Sequence, residues 1–243
     1  MIFKNISKKT YLYHPNAIVF WLLFFGLYFP VISFVFVSII LIIYIFWPFR
    51  SYDIQRTDIT SNKVVLISHG LKDDTTTWVT TLKKQLLTNG GDVQVIAIDW
   101  SRYAGNALTC SVNGGRIGHD MANILLKNSQ LIDIQLIGHS CGAFVNYGIC
   151  EVLNEHQNDI NVKGIYLAPV SVYGGMFWEF GLDNFGACAN ESITYFDTED
   201  RVPGSNRAPI HSTGIDVTDY KQQFGFDGAP HLWPIYYFLA INE

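Results

Sequence analysis

Polar positions almost vanish from the first fifty residues. From Thr10 through Phe49 there is no Asp, Glu, Lys or Arg, and Ala17 to Trp47 is almost wholly Ile, Val, Leu, Phe, Tyr and Trp. Roughly 30 residues at about 1.5 Å each make about 45 Å of helix, longer than the roughly 30 Å hydrocarbon core of a bilayer. The pattern predicts an N-terminal transmembrane segment within residues 1–50, with membrane contact through residues 17–47. Gly26 and Pro30 interrupt it, which allows one kinked helix or two shorter pieces folded as a hairpin. Lys4, Lys8 and Lys9 precede the segment and Arg50 and Arg56 follow it, a bias that only weakly favours a cytoplasmic N-terminus. Its length, and the lack of an A-x-A-like site after it, argue for a retained anchor over a cleaved signal peptide.

After a polar linker, residues 51–62, the pattern changes to short apolar runs alternating with helix-like periods. Lys63-Val-Val-Leu-Ile-Ser68 is continuous enough to be a strand buried on both faces. Trp78, Val79, Leu82, Leu86 and Leu87 then share a helix face that Asn89-Gly90-Gly91 should end. Further strands are predicted over Asp92–Asp99, Ile134–Ile137, Val162–Leu167, Ser192–Phe196 and Gly214–Val217, with helices over about Gly115–Lys127 and after Gly142. Strands alternating with helices predict an α/β domain over residues 63–243, with a mostly parallel, doubly wound sheet.

Composition narrows the function classes. The chain has 243 residues, 49% of them hydrophobic, and a formal net charge of −5. Residues 51–243 carry no dense Lys/Arg stripe, which argues against a nucleic-acid partner. No G-x-G-x-x-G follows a strand, so no dinucleotide cofactor is predicted. The four cysteines, Cys110, Cys141, Cys150 and Cys188, lack C-x-x-C spacing, and no metal is expected. Cys110 and Cys188 fall in predicted loops and would pair in an oxidising compartment; Cys150 reads as core.

The chemistry concentrates at Gly138-His139-Ser140-Cys141-Gly142. A G-x-S-x-G pattern arises by chance in about one such chain in ten, so context decides. Here a strand precedes it and a helical period of Ala143, Phe144, Val145, Tyr147 and Ile149 follows, the strand–turn–helix setting of a nucleophile elbow. The bland alternative is a tight turn with an idle serine. An elbow serine needs a base, an acid to orient that base and donors for an oxyanion, with the acid and then the histidine downstream. Among His156, His211 and His231, the last lies in a loop just before an apolar C-terminal helix and is the predicted base. His156 reads as solvated, and His211 is the reserve. Asp200, followed by Val202 and Pro203, is the predicted acid, with Asp197 and Glu199 close enough to compete. The backbone N–H groups of Leu71 and Cys141 are the predicted oxyanion donors, and His69 is expected to hold the Gly70 loop.

His69-Gly70-Leu71 with Thr77-Trp78-Val79, Ala97-Ile-Asp99-Trp100-Ser101, Arg116-Ile-Gly118 with Met121-Ala122, Leu136-Ile-Gly-His-Ser-Cys-Gly-Ala143, and His231-Leu232 with Tyr236-Tyr237 together resemble the animal pancreatic-type lipase family and its bacterial relatives. The likeness covers roughly residues 63–240. It implies an α/β-hydrolase fold and a serine carboxylic ester hydrolase, with Ser140 and His231 catalytic and a lipid or small ester as substrate; Asp200, read from its own loop, completes the expected triad. There are three departures. The spacing from Arg116 to Gly118 is one residue shorter than in that family's Arg-x-x-Gly helix. Cys141 replaces the usual leucine, and Leu167-Ala168-Pro169 stands where that family has Leu-Asp-Pro, so the acid is expected to have moved to Asp200. A thioesterase or peptidase on the same fold and a catalytically silent lipase-like binding protein are the alternatives. The silent lipase-like yolk proteins have lost the serine that this chain keeps. The aromatic, Gly-jointed segment from Val170 to Cys188 is either a lid or acyl-chain wall, or a loop packed on the core.

Overall fold

The computed structural model describes residues 17–47, 50–53, 57–88, 92–156 and 159–242. Lys4, Lys8, Lys9, Arg56 and the expected helix stop at residues 89–91 lie outside these. The chain divides into two units, Met1–Phe49 and Arg50–Glu243. In the first, α1 (Ala17–Leu23) passes through a π-turn (Phe24–Tyr28) into α2 (Phe29–Ile45). Leu23, Tyr28 and Phe29 all keep right-handed helical dihedrals, so the described residues 17–45 continue in one helical run. Pro30, which has no N–H to donate, is the second residue of α2, directly after the π-turn whose last bond runs from the Phe29 N–H to the Phe24 carbonyl. Val19–Ile45 makes 27 residues long and apolar enough to cross a membrane.

The second unit is built on six strands, β1 (Lys63–Ser68), β2 (Gln94–Ile98), β3 (Asp133–His139), β4 (Asn161–Leu167), β5 (Glu191–Phe196) and β6 (Thr213–Asp216). They form one sheet in the order β2-β1-β3-β4-β5-β6, and every pair is parallel. Helices α3 (Trp78–Thr88), α4 (Cys110–Leu125), α5 (Gly142–Glu155), α6 (Phe180–Asn184) and α7 (Trp233–Ala240) connect or flank them. Val64, Leu66, Ile134 and Leu136 face α4 and α5 in one core, while Val65, Ile67 and Ile137 face α3 and α7 in another. Burial on both faces is why these strands read as unbroken apolar runs. The doubly wound parallel sheet is the α/β-hydrolase architecture expected from the sequence.

Chain order fixes where a site can form. From β1 the chain moves outward to β2, then returns across β1 to build β3 to β6 on the other side. The loops after β1 and β3 therefore diverge, leaving a crevice at the carboxyl edge of the sheet.

Two expectations need correction. The α4 helix begins at Cys110, five residues before the expected Gly115, because Gly114 and Gly115 lie inside the helix and do not open it. These two helices meet backbone to backbone: a Cβ on Gly118 would sit 2.3 Å from the Val145 carbonyl oxygen, and one on Gly148 would sit 2.1 Å from that of Gly115. The cysteine pairing also differs. Cys110 bonds Cys141, and Cys150 bonds Cys188, with Cα separations of 6.2 and 5.7 Å. Cys110 opens a helix packed beside the elbow, which puts Cys141 within reach and leaves Cys188 to the buried Cys150. On α3, Val79 and Leu82 are buried as expected, whereas Leu87 is exposed.

Candidate active site

Strand β3 ends at His139, and the next residue, Ser140, has φ 53°, in the left-handed region that a non-glycine residue rarely occupies. Its N–H donates to the Leu167 carbonyl at 3.1 Å, which ties the turn to the end of β4. The flanking glycines are required by space. A Cβ on Gly142 would lie 2.4 Å from the Ser68 carbonyl oxygen, and one on Gly138 would lie 2.8 Å from the Gly142 carbonyl oxygen. Strand, sharp turn and helix thus bring the serine side chain to the cavity described below.

The structure brings Ser140, His231 and Asp200 together across 91 and 31 residues of chain. His231 Nε2 lies 2.9 Å from Ser140 Oγ, and Nδ1 lies 2.6 Å from Asp200 Oδ2. A carboxylate can only accept, so Nδ1 carries the proton and Nε2 is left to accept from the serine hydroxyl. Asp200 is buried, and its other oxygen accepts the Val202 N–H at 3.0 Å. Burial alone would raise its pKa; the hydrogen bonds from His231, Ser205 and Val202 more than offset that and hold it below the ordinary carboxylate value. The competing carboxylates go elsewhere: Asp197 pairs with Lys221 at 2.9 Å, and Glu199 pairs with the same amine. His211 and His156 are both exposed.

The loop after β1 is held by His69 and Trp100. The His69 Nδ1–H donates to the Gly70 carbonyl at 3.0 Å, the Trp100 indole N–H donates to the His69 carbonyl at 3.0 Å, and the two rings stack. Burial lowers the pKa of His69 and keeps it neutral in this role. The loop turns at Lys72, with φ 55° and its N–H on the Ala104 carbonyl at 3.0 Å. Gly70 supplies clearance, since a Cβ there would lie 2.9 Å from His139 Nδ1. Among the described residues, the N–H groups of Leu71 and Cys141 have no backbone acceptor.

Ser140, His231, Leu71 and Cys141 all border one cavity of about 980 Å³. Trp78, Leu108, Val172, Trp178, Ile235 and Tyr236 make most of its wall apolar. The Val170–Cys188 segment serves both expected ends. Val172 and Trp178 face the cavity, with Trp178 59% exposed, while Phe180 and Phe185 pack on Phe144 in the core.

Sequence reasoning gave no role to His139. It is buried, its Nε2–H donates to the His231 carbonyl at 3.2 Å, and its ring lies 4.9 Å from the His231 ring. Burial, and then the neighbouring His231 charge, push its pKa down to about 3, so it is neutral at physiological pH. Its place beside the serine was the only signal the sequence offered.

Residues 51–160 match the family described as Lipase. The match contains Leu71, Ser140 and Cys141 and stops short of Asp200 and His231. Similar solved structures include an α/β serine hydrolase homologue from Coxiella burnetii, 16% identical, covering 78% of this chain and 88% of that one, with a TM-score of 0.44. Est1E from Butyrivibrio proteoclasticus is 12% identical, covering 73% of this chain and 87% of that one, with a TM-score of 0.43. The type II thioesterase YbtT of the yersiniabactin pathway is 12% identical, covering 77% and 92%, with a TM-score of 0.42. No curated protein matches.

Proposed function

We propose that the chain is a membrane-anchored serine ester hydrolase of the lipase-like α/β-hydrolase type, acting on a lipidic carboxylic ester. The observation that carries this reading is the hydrogen-bonded run Ser140–His231–Asp200 at the edge of an apolar cavity. Ser140 Oγ attacks the ester carbonyl as His231 Nε2 takes its proton, and Asp200 stabilises the imidazolium that forms. The carbonyl oxygen, now negative, receives the N–H groups of Leu71 and Cys141. Collapse expels the alcohol with the proton from His231, and water, activated by the same imidazole, releases the acid from Ser140. An oxyanion donor of this kind contributes on the order of 3 kcal/mol to lowering the barrier.

The cavity supports a lipidic acyl chain over a peptide, because its wall is apolar and offers few groups to pair with a peptide backbone. Retention of Val19–Ile45 as an anchor would keep the enzyme beside such substrates. All four cysteines are disulfide-bonded, which favours an oxidising compartment for residues 63–243 and hence a cytoplasmic N-terminus. The test uses the full chain in detergent micelles. The wild type is expected to react with a fluorophosphonate and to hydrolyse p-nitrophenyl esters, and Ser140→Ala to do neither. Unchanged turnover in Ser140→Ala would sink the assignment. Ester, thioester and amide substrates of graded chain length then define the leaving group and acyl length.

A further inference from the structure

The first turn of α4 is fastened to three surroundings of the site at once. Cys110 is disulfide-bonded to Cys141. The Ser111 hydroxyl accepts the Gly174 N–H at 2.8 Å, holding the segment that carries Val172 and Trp178. Asn113 Oδ1 accepts from Arg50 and from the Tyr52 hydroxyl, at 2.8 and 3.0 Å. Cys110, Ser111 and Asn113 are all buried, and the glycine contacts between α4 and α5 leave this turn little freedom to move.

An oxyanion donor poses a particular problem of support. Its N–H must stay unpaired in the resting enzyme, so the peptide cannot be oriented by a hydrogen bond from that N–H. The carbonyl of the same peptide, that of Ser140, accepts from Ala143 and Val170, at 3.2 and 3.4 Å, which are long bonds. A covalent tether on the Cys141 side chain orients the peptide and leaves the donor available. Cys110 and Cys141 both border the cavity, so the tether sits where the oxyanion would form.

We propose that Cys110 is a positioning residue for the hydrolase reaction: its disulfide to Cys141 fixes the Cys141 N–H in the direction of the developing oxyanion. This rests on the serine-hydrolase reading above. Cys150–Cys188 also closes a loop, of similar length, with sequence separations of 38 and 31 residues for the two bridges, but it joins the middle of α5 to a loop away from the cavity. It therefore serves as the control, because loop closure should stabilise the fold comparably in both cases.

The full chain is assayed as wild type, as Cys110→Ala/Cys141→Ala and as Cys150→Ala/Cys188→Ala. The first double variant is expected to lose about 10- to 100-fold in kcat with KM within about twofold, since the interaction removed belongs to the transition state. Fluorophosphonate labelling, whose phosphoryl oxygen occupies the same hole, should slow in proportion. The control variant should keep its kcat while its Tm falls. Wild-type protein titrated with dithiothreitol gives an arm that needs no folded variant. Each dithiol passes two electrons and two protons to one disulfide, leaving two thiols and the cyclic oxidised dithiol, and alkylation with mass spectrometry identifies the opened bridge. Activity should fall with opening of Cys110–Cys141 while the near-UV circular dichroism persists. A folded first variant with wild-type kcat, a loss confined to KM, or a loss seen only with global unfolding overturns the inference alone. A wild type inert to ester and fluorophosphonate overturns the serine-hydrolase reading and the inference with it.

Discussion

Replacing Asp200 by Asn tests the proposed acid, and the structure says why so small a change should be severe. Both carboxylate oxygens are engaged as acceptors, one toward His231 Nδ1 at 2.6 Å and the other toward the Val202 N–H at 3.0 Å. An amide has one acceptor and one donor end. With its oxygen kept on Val202, the NH₂ faces His231, Nδ1 must become the acceptor, and the imidazole proton moves to Nε2, where it cannot receive the proton of Ser140. With its oxygen turned to His231, two donors face each other at Val202 in a buried site, at a cost of about 1–3 kcal/mol. The first arrangement satisfies the bonds to Val202 and His231 and leaves a base of the wrong tautomer. The expected loss is therefore about 10³- to 10⁴-fold in kcat, or about 4–5.5 kcal/mol of barrier, with KM little changed and the fold intact. Steady-state hydrolysis of a p-nitrophenyl ester, alongside the fluorophosphonate labelling rate and circular dichroism, reads all three. A folded Asp200→Asn protein within tenfold of wild-type kcat would refute the assignment of the acid.

Two further outcomes follow from groups around the site. His139 has its pKa pushed from the ordinary 6.5 to about 3, so between those values the unfolded chain binds a proton that the folded one does not. Stability then falls as pH falls, with a slope approaching about 1.4 kcal/mol per pH unit, or about 2 kcal/mol in all between pH 6.5 and 4.5. The depressed Asp200 adds a loss in the same direction only once the pH drops below about 4. Urea unfolding at the two pH values should show a shallower decline for His139→Gln than for wild type; equal declines would refute the account. Lys221→Met leaves the fully buried Asp197 without its amine, and should cost about 3 kcal/mol of stability while kcat per folded molecule holds. An unchanged Tm would show that this pair contributes nothing.

What the sequence disclosed depended on how local each signal was. Strands such as β1 and β3 were legible because a parallel strand buried on both faces leaves an unbroken apolar run such as Val64 to Ile67, and the elbow was legible because its two glycines answer a steric need within five residues. The start of α4 was not, since Gly114 and Gly115 carry the same letters as a loop while serving close contact with α5, whose own sequence lies thirty residues on. Cysteine pairing was illegible for the same reason, as four isolated cysteines say nothing of which helix lies beside which. Asp200 could be preferred over Asp197 and Glu199 by its spacing to Val202 and Pro203. What separates the three physically is Lys221, twenty-one residues downstream, which occupies the other two. The Val170–Cys188 segment has no single period because its residues alternate irregularly between cavity wall and core.

The same topology explains how the proposed acid can come from the end of β5 with Ala168 at the end of β4. Hydrogen bonding between neighbours continues past the strand ends: the Ser140 N–H meets the Leu167 carbonyl, the Ala168 N–H meets the Tyr195 carbonyl at 2.9 Å, and the Ser171 N–H meets the Pro203 carbonyl at 3.0 Å. The elbow, the end of β4 and the end of β5 are thus laced into one edge, with about 4.8 Å between adjacent strands. Moving an acid from the β4 loop to the β5 loop displaces its origin by one such step, a distance that a short turn can recover. That turn is present: the Asp200 N–H returns to the Asp197 carbonyl at 3.1 Å, and Lys221 pins the Asp197 carboxylate beneath it. Ala168 has a left-handed backbone, φ 44°, and is fully buried. The His231 loop is anchored from the end of β3, where His139 donates to the His231 carbonyl, independently of which neighbouring loop would provide the proposed acid.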